Sequence, residues 1–247
     1  MQDNTSYFSV KLPSRCLVYS GIDKDNANDQ IKIRAFKGID EKLIAEISAD
    51  NFEKKFCIIL KNVLQGIVPE KLTVGDRQFL MLWETIHSYD KSYNVEYECE
   101  HCWQKSEYIV DLSQLNEMKL PENFVEPYEV KLPESGSVAK LRLLRIEDLM
   151  KVDELSKMGQ NVWLYRYALS IVNDKSIWDN VSYLENMSTK DIMVIRAFHD
   201  KFNHGVQMET SYECPRCGGT GVMPVPFRLE MLLPYGKKLE RYIDDGV

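Results

Sequence analysis

Two pairs of cysteines, far apart in the chain, constrain the fold of this protein more than any other feature. Cys99 and Cys102 lie in the hexapeptide YECEHC, and Cys214 and Cys217 lie in YECPRC. The hexapeptides share Tyr, Glu and both cysteines in the same register, which indicates two copies of one motif. A C-x-x-C loop turns both thiolates toward one centre, and two such loops supply the four sulfurs of a tetrahedral zinc site.

The spacing of the two pairs predicts a zinc module that is split in the sequence. Residues 103–213 separate the pairs, whereas about 12–20 residues do so in an uninterrupted zinc module. Strand-like runs such as YNVEYE and SEYIVDL flank the first pair, and GVMPVPF follows the second. We therefore expect a zinc-ribbon-like β module made of segments 91–112 and 206–226, with residues 113–205 inserted between them.

Other interpretations of the cysteines remain open at this point. A dithiol redox centre needs its C-x-x-C at a helix N-terminus, whereas both pairs here are expected between strands. The segment CPRCGGTG matches the C-x-x-C-x-G-x-G unit of the DnaJ-type chaperone zinc domain, but that domain needs four units and this chain has one. The thiols could also be unliganded after the loss of an ancestral site. A closed site of four thiolates favours a structural role, because it leaves no position for substrate.

Composition and charge narrow the compartment and the partners. The net charge of −7 over 247 residues argues against nucleic-acid binding, which needs a basic face. The N-terminus lacks the pattern of a secretory signal, and the longest apolar run, VWLYRYALSIV, is too short to span a bilayer. We expect a protein kept in a reducing cytoplasm, where C-x-x-C pairs bind metal rather than form disulfides. Cys16 and Cys57 lie among apolar residues and are expected to be buried.

Periodicity predicts an α+β fold in which a helical region is combined with the split module and an N-terminal β segment. Residues 1–90 contain strand-like runs (FSVKL, RCLVYS and IKIRAF) and then helices. In the first of these helices, Phe56, Ile59, Leu60 and Val63 have the spacing of one buried face. Thr73 with Asp76 and Ser188 with Asp191 have the spacing of capping boxes. The insertion, 113–205, is expected to hold a β-hairpin and helices, and 227–247 to form a tail whose apolar part packs on the protein's own core. No repeat beyond the paired hexapeptides is evident.

Catalytic chemistry is weakly represented in the sequence. His199 falls on an apolar helical stripe, where we expect a packed histidine. His101 lies in the first knuckle, as we call the C-x-x-C loop of each cysteine pair, and is expected to face solvent. There is no G-x-S-x-G, phosphate-binding glycine loop, H-E-x-x-H or dinucleotide fingerprint. The sequence therefore predicts a protein that is not an enzyme.

An ordered set of motifs resembles a known family, the baseplate hub assembly proteins of T-even-like contractile-tailed bacteriophages. The set spans residues 12–227 and consists of LPSRCLVYSG, IRAFKGIDEKLIAE, KLTVGDRQFLMLW, YECEHC followed by VDLSQL, and CPRCG followed by PVPF. Members with degenerate knuckles exist, so intact cysteines fit the family without being required by it.

The resemblance implies a non-enzymatic tail protein, either a subunit of the central baseplate hub or a factor that promotes hub assembly. Its implied partners are other hub and tail proteins, with a homo-oligomer also possible. Its implied location is the host cytoplasm during assembly and, for a subunit, the virion baseplate. Zinc at Cys99, Cys102, Cys214 and Cys217, one ion per chain, is the only site that can be assigned. A cytoplasmic zinc-dependent chaperone or thiol-redox protein is the alternative function, and a nucleic-acid-binding zinc ribbon is disfavoured by the acidic charge.

Overall fold

A computed structural model describes residues 6–22, 31–48, 51–159 and 161–233 of the protein. It consists of helices and small antiparallel sheets, which confirms the predicted mixture of helix and strand. Within these residues no helix has both the length and the apolar character needed to cross a membrane.

The helices and strands occur in short groups along the chain. The strands are β1 (Phe8–Ser9), β2 (Lys32–Ile33), β3 (Leu64–Gln65), β4 (Ser92–Glu98), β5 (Lys105–Asp111), β6 (Glu117–Met118), β7 (Tyr128–Lys131), β8 (Val138–Leu141), β9 (Gly205–Val206), β10 (Glu209–Glu213) and β11 (Thr220–Pro224). The α-helices are α1 (Gly38–Ile44), α2 (Phe52–Val63), α3 (Val74–Ser88), α4 (Ile146–Lys157), α5 (Trp163–Ser170), α6 (Ile177–Glu185), α7 (Thr189–Lys201) and α8 (Leu229–Leu232). Strands pair in the order β1-β2-β3, and as β4-β5, β6-β9, β7-β8 and β10-β11.

The two halves of the chain repeat one order of elements. The first half runs from paired strands (β1, β2) through α1 and α2 to β3, then α3 and the hairpin β4-β5. The second half runs from paired strands (β7, β8) through α4 and α5 to a bridge between Leu141 and Ile171, then through α6, which has no counterpart α-helix in the first half, to α7, the short strand β9 and the hairpin β10-β11. That bridge corresponds to the pairing of Ile33 with Leu64 in the first half. The repeat is one of element order and strand pairing, so in the sequence itself only the hexapeptides are repeated.

An arginine–aspartate pair begins the helical part of each half. Arg34 donates to both carboxylate oxygens of Asp40 at 2.6 and 3.2 Å, six residues later. Arg142 does the same to Asp148 at 2.6 and 2.9 Å, again six residues later. Both aspartates lie in the first turn of a helix and are fully buried. Burying a carboxylate is costly unless it is paired and hydrogen-bonded, so each pair fixes how its helix leaves the preceding strand.

A second repeated contact joins the later helix of each half to the loop after its first strand. The Asp76 carboxylate in α3 accepts from the backbone N–H of Ser14 at 2.8 Å. The Asp191 carboxylate in α7 accepts from the N–H groups of Glu134 and Ser135 at 2.8 and 3.1 Å. The predicted caps exist, because the Thr73 and Ser188 hydroxyls accept from the N–H of these aspartates. The reciprocal half of each capping box is replaced by a long-range contact.

Three apolar clusters form the core. The first holds the predicted helix stripe of Phe56, Ile59, Leu60 and Val63, all of it buried. The second lies between the two cysteine-bearing hairpins and α3, and the third lies under the hairpin β7-β8 and the helices of the second half.

Two expectations about the chain ends have different outcomes. The RCLVYS run is not a strand: residues 13–18 form turns, and Arg15 and Cys16 have positive φ of 54° and 55°. The reason is that this segment wraps around the N-terminus of α3, where Tyr19 donates to Asp76. The apolar part of the tail packs on the core as expected, with Met231 and Leu232 buried, while Tyr235 and the charged part lie outside the described residues.

Candidate metal centre

Each cysteine pair lies at the turn of a hairpin. In the first hairpin, Glu98 of β4 pairs with Lys105 of β5, and the turn between them carries Cys99 and Cys102. In the second, Glu213 of β10 pairs with Thr220 of β11, and the turn carries Cys214 and Cys217. Both pairs therefore lie between strands, as predicted. Neither starts a helix, which is where a redox C-x-x-C would be expected.

The first knuckle is closed by two backbone hydrogen bonds. Trp103 N–H donates to the Cys99 carbonyl at 2.8 Å, and Cys99 N–H donates to the Gln104 carbonyl at 3.1 Å. This closure places Trp103 in the left-handed region, with φ of 58°, and leaves its side chain 71% exposed. A bulky residue with this backbone conformation is strained, because its Cβ crowds the following carbonyl oxygen.

The second knuckle has the same closure at equivalent positions. Gly218 N–H donates to the Cys214 carbonyl at 2.9 Å, and Cys214 N–H donates to the Gly219 carbonyl at 2.8 Å. Gly218 has φ of 69°, which glycine adopts at little cost. Trp103 therefore occupies the position that glycine fills in the second copy.

The fold brings the four cysteine sulfurs together. All four Sγ atoms lie within 4.8 Å of one another. The closest contacts cross between the knuckles: Cys99 with Cys217, and Cys102 with Cys214, each at 3.8 Å. A tetrahedron with Zn–S bonds of 2.3 Å has sulfur–sulfur edges of about 3.8 Å, whereas a disulfide is about 2.05 Å long. The donor set and its spacing therefore fit a tetrahedral metal ion such as zinc.

A tyrosine pair packs the two hairpins together beneath the sulfurs. Tyr97 and Tyr212, the first residues of the two hexapeptides, are both buried, and their ring centroids are 4.4 Å apart. Gly221 lies against the Tyr212 ring, where an added Cβ would be 2.8 Å from the hydroxyl oxygen. The two copies of the hexapeptide are thus in direct contact with each other as well as through their cysteines.

His101 makes a further contact between the knuckles that the sequence does not predict. Its ring is exposed, as expected, but it packs on Gly219 so closely that an added Cβ there would be 2.4 Å from ring atom Cδ2. Its Nε2–H donates to the Thr220 carbonyl at 3.0 Å. The feature of the sequence that could have indicated this contact is Gly219, the second glycine of CPRCGG. The backbone hydrogen bonds of its own knuckle do not require glycine at that position, whereas the nearby imidazole does.

The surroundings of the thiols differ in their effect on ionisation. Backbone N–H groups of Arg216 and Cys217 lower the pKa of Cys214 to about 6. Burial raises the pKa of Cys99, but N–H groups from its own knuckle outweigh that effect and its pKa is lowered. The Gly219 N–H lowers the pKa of Cys217, yet burial and the neighbouring thiols raise it to about 12.

The cysteines and histidine predicted to be structural lie away from this cluster. Cys16 and Cys57 are 3% and 2% exposed, and burial raises the pKa of each thiol to about 12. His199 is half-buried, its Nε2 lies 3.1 Å from the Ser170 hydroxyl, and burial lowers its pKa to about 4. It is a packed neutral histidine, as predicted.

Glu84 in α3 is a buried carboxyl that no sequence pattern singles out. Its side chain is fully buried, and Ser88 donates to its Oε2 at 3.0 Å. Its other oxygen, Oε1, has no hydrogen-bond partner among the described residues. Burial raises the pKa of Glu84 to about 8.

Taken together, the fold and the site define a class: an α+β protein of two repeated halves, joined where four cysteines converge. Comparison with protein families then identifies the family of the chain. The chain belongs to the family described as T4 bacteriophage base plate protein, which matches residues 19–230. The resemblance drawn from the motifs is thereby confirmed at the level of the baseplate. Neither a curated protein nor a solved structure matches the chain.

Proposed function

We propose that the protein is a non-enzymatic component of the central baseplate hub of a contractile tail, as a hub subunit or as a factor that promotes hub assembly. The observation that carries this proposal is the family match over residues 19–230. The motifs of the hub assembly proteins, from LPSRCLVYSG to PVPF, support the finer assignment to the hub. The protein would act in the host cytoplasm, binding other hub and tail proteins rather than nucleic acid.

The second part of the proposal is that Cys99, Cys102, Cys214 and Cys217 bind one structural zinc ion. Four sulfurs within 4.8 Å of one another support it. The ion would supply charge neutralisation and a cross-link between two hairpins that are distant in the sequence. Four protein ligands would leave no position for substrate, which is consistent with a structural role.

The proposed domain organisation follows from this cross-link. We propose that 91–112 and 206–226 form one split zinc-ribbon-like module, with 1–90, the insertion 113–205 and the tail 227–247 packed around it. The second core cluster supports the module, because it contains buried residues from both hairpins.

Metal analysis tests the zinc proposal. Protein purified without chelator should contain about one equivalent of zinc, and the four-cysteine variant with serine at each ligand should contain none. A C16S/C57S variant is the matched control, because it removes two thiols from elsewhere and should keep the metal. Zinc-free protein that melts at the same temperature as protein given zinc would refute a structural ion.

A phage that lacks this protein tests the hub proposal. Infected cells should accumulate heads and fibres but few complete baseplates, and expression of the wild-type protein in trans should restore them. Normal tails in that mutant would refute a hub role and would favour the chaperone or redox alternative. Mass spectrometry of purified particles then separates the two forms of the proposal, since a hub subunit remains in the virion and an assembly factor does not.

A further inference from the structure

An aromatic groove lies between helices α5 and α6 in the second half of the chain. It has a volume of about 320 Å³. Its walls include the rings of Trp163, Tyr165 and Trp178, and Tyr165 and Trp178 meet edge to face at 90° with centroids 5.1 Å apart. Trp163 and Trp178 are 50% and 52% exposed. Two half-exposed tryptophans around one concave site are unusual on a free surface, because aromatic rings lose hydration favourably when they are covered.

The charged side chain that lines this groove is acidic. Glu185, at the end of α6, is the charged residue among the side chains that line it. Burial raises the pKa of the Tyr165 phenol, and the negative charge of Glu185 raises it further. Aromatic faces attract cations through their negative quadrupole, so the rings and the carboxylate favour the same kind of ligand.

A cation of the protein itself already contacts one of these rings. The Arg196 guanidinium lies over the Trp163 ring, 5.9 Å from its centroid. A guanidinium is planar and weakly hydrated, so it stacks on indole rings more readily than an ammonium does. The Trp178 ring, which is 52% exposed, offers a second guanidinium the same interaction.

The groove lies where the two halves of the chain differ. In the first half, the stretch between β3 and the capped helix α3 holds a single short 3-10 turn, Pro69–Lys71. In the second half, the corresponding stretch holds α6, which carries Trp178 and Glu185. The repeated architecture does not require this helix, so its exposed tryptophan is not explained by the shared fold.

We propose that the groove between α5 and α6 binds an arginine side chain of a partner protein, with the guanidinium over the Trp178 ring and near Glu185. The proposal rests on the proposed role of the protein in binding other baseplate proteins. The net charge of −7 favours a basic partner. The groove does not include any of the four cysteines, so arginine binding should not depend on zinc.

Binding of a capped amino acid to the intact protein tests this directly. The chain has four tryptophans, so its indole N–H signals in a proton–nitrogen NMR spectrum can be assigned from single variants. Acetyl-arginine amide should shift the Trp163 and Trp178 signals saturably, and acetyl-citrulline amide, which has the same shape without the charge, should not. Equal shifts with citrulline, equally tight binding of acetyl-lysine amide, or no saturable shift with arginine would overturn the proposal.

Two variants and one control locate the binding. E185Q should weaken arginine binding about threefold, and W178L about tenfold. W103L replaces an exposed tryptophan on the first knuckle and should leave binding unchanged. If W178L fails to fold, E185Q still decides, because unchanged arginine affinity in that variant would refute the role of the carboxylate. If the purified protein binds arginine as expected but a phage that lacks the protein still builds normal baseplates, the hub role alone is refuted.

Discussion

The contact between His101 and Gly219 can be tested as a connection between the two knuckles. The change is Gly219→Ala, made in the wild-type protein and in a His101→Ala background. Gly218→Ala is the matched control, because it adds the same methyl group one residue earlier, where nothing lies within 4 Å of the added atom. We expect Gly219→Ala to be much more costly while the imidazole is present.

The magnitudes follow from the geometry. A Cβ on Gly219 would lie 2.4, 2.7 and 3.1 Å from His101 Cδ2, Cγ and Cβ, so the whole ring must move. Displacing it breaks the 3.0 Å hydrogen bond to the Thr220 carbonyl, which costs about 1 kcal/mol, and the forced repacking costs about 1 kcal/mol more. Gly218 has φ of 69°, so alanine there should cost about 1 kcal/mol through backbone strain in both backgrounds.

Urea unfolding of the four combinations, with zinc content measured on each sample, provides the assay. Gly219→Ala should lower the unfolding free energy by about 2 kcal/mol with His101 present, equivalent to about 5 °C in melting temperature. With His101→Ala only the 3.1 Å contact to the remaining Cβ is left, so the same substitution should cost about 0.5 kcal/mol, which gives a coupling of about 1.5 kcal/mol. Equal costs of Gly219→Ala in the two backgrounds would show that the imidazole does not hold the knuckles together.

Four further predictions concern single residues. Cys214→Ser should remove the metal and lower the melting temperature by about 10 °C; a chelator should do the same to the wild type but nothing to the variant. Cys16→Ser and Cys57→Ser should each keep one equivalent of metal, and metal loss in either would mean that the ligands are misassigned. Glu84→Gln should raise the unfolding free energy by about 2 kcal/mol at pH 8 and by little at pH 4.5. The pKa of Glu84 is raised from 4.5 to about 8 in the folded state, so between these values the unfolded chain loses the proton that the folded protein keeps, and stability falls as pH rises. A pH-independent gain in urea melts would contradict this. Trp103→Gly should stabilise the protein by about 1 kcal/mol by relieving its positive φ, whereas Trp103→Ala should not, and equal melting temperatures of the two variants would contradict the strain.

The features that the sequence predicts well are those set by short-range spacing. The two hexapeptides predict hairpin turns with paired thiols because a C-x-x-C loop needs little beyond its own residues. The stripe of Phe56, Ile59 and Leu60 predicts a buried helix face for the same local reason. The N-caps at Thr73 and Ser188 also follow from residues within one turn.

What the sequence does not predict depends on contacts between distant segments. The spacing of Thr73 and Asp76 is that of a capping box, but the carboxylate instead accepts from Ser14, 62 residues away. That contact, with Tyr19, turns the RCLVYS run away from the strand that its composition favours. Propensity is a weak prior at such a place, because a buried carboxylate must be satisfied by whichever donors the fold brings to it.

The repeat itself was hidden because the two copies keep contacts rather than residues. Arg34 and Arg142 each pair with an aspartate six residues later. The five residues between arginine and aspartate are nevertheless different in the two halves, AFKGI in the first and LLRIE in the second. Only the hexapeptides stay visible, since four equivalent ligands tolerate no substitution if they bind one ion. A single hairpin offers two sulfurs, so under the proposed zinc site neither half could complete the coordination alone.

The two halves also differ at positions that the shared architecture does not determine: one is Trp103 in place of a glycine, and another is the added helix α6 with Trp178. Each leaves a tryptophan exposed, and neither is required by the architecture that the halves share, which is the reason to test both positions for contact with baseplate partners.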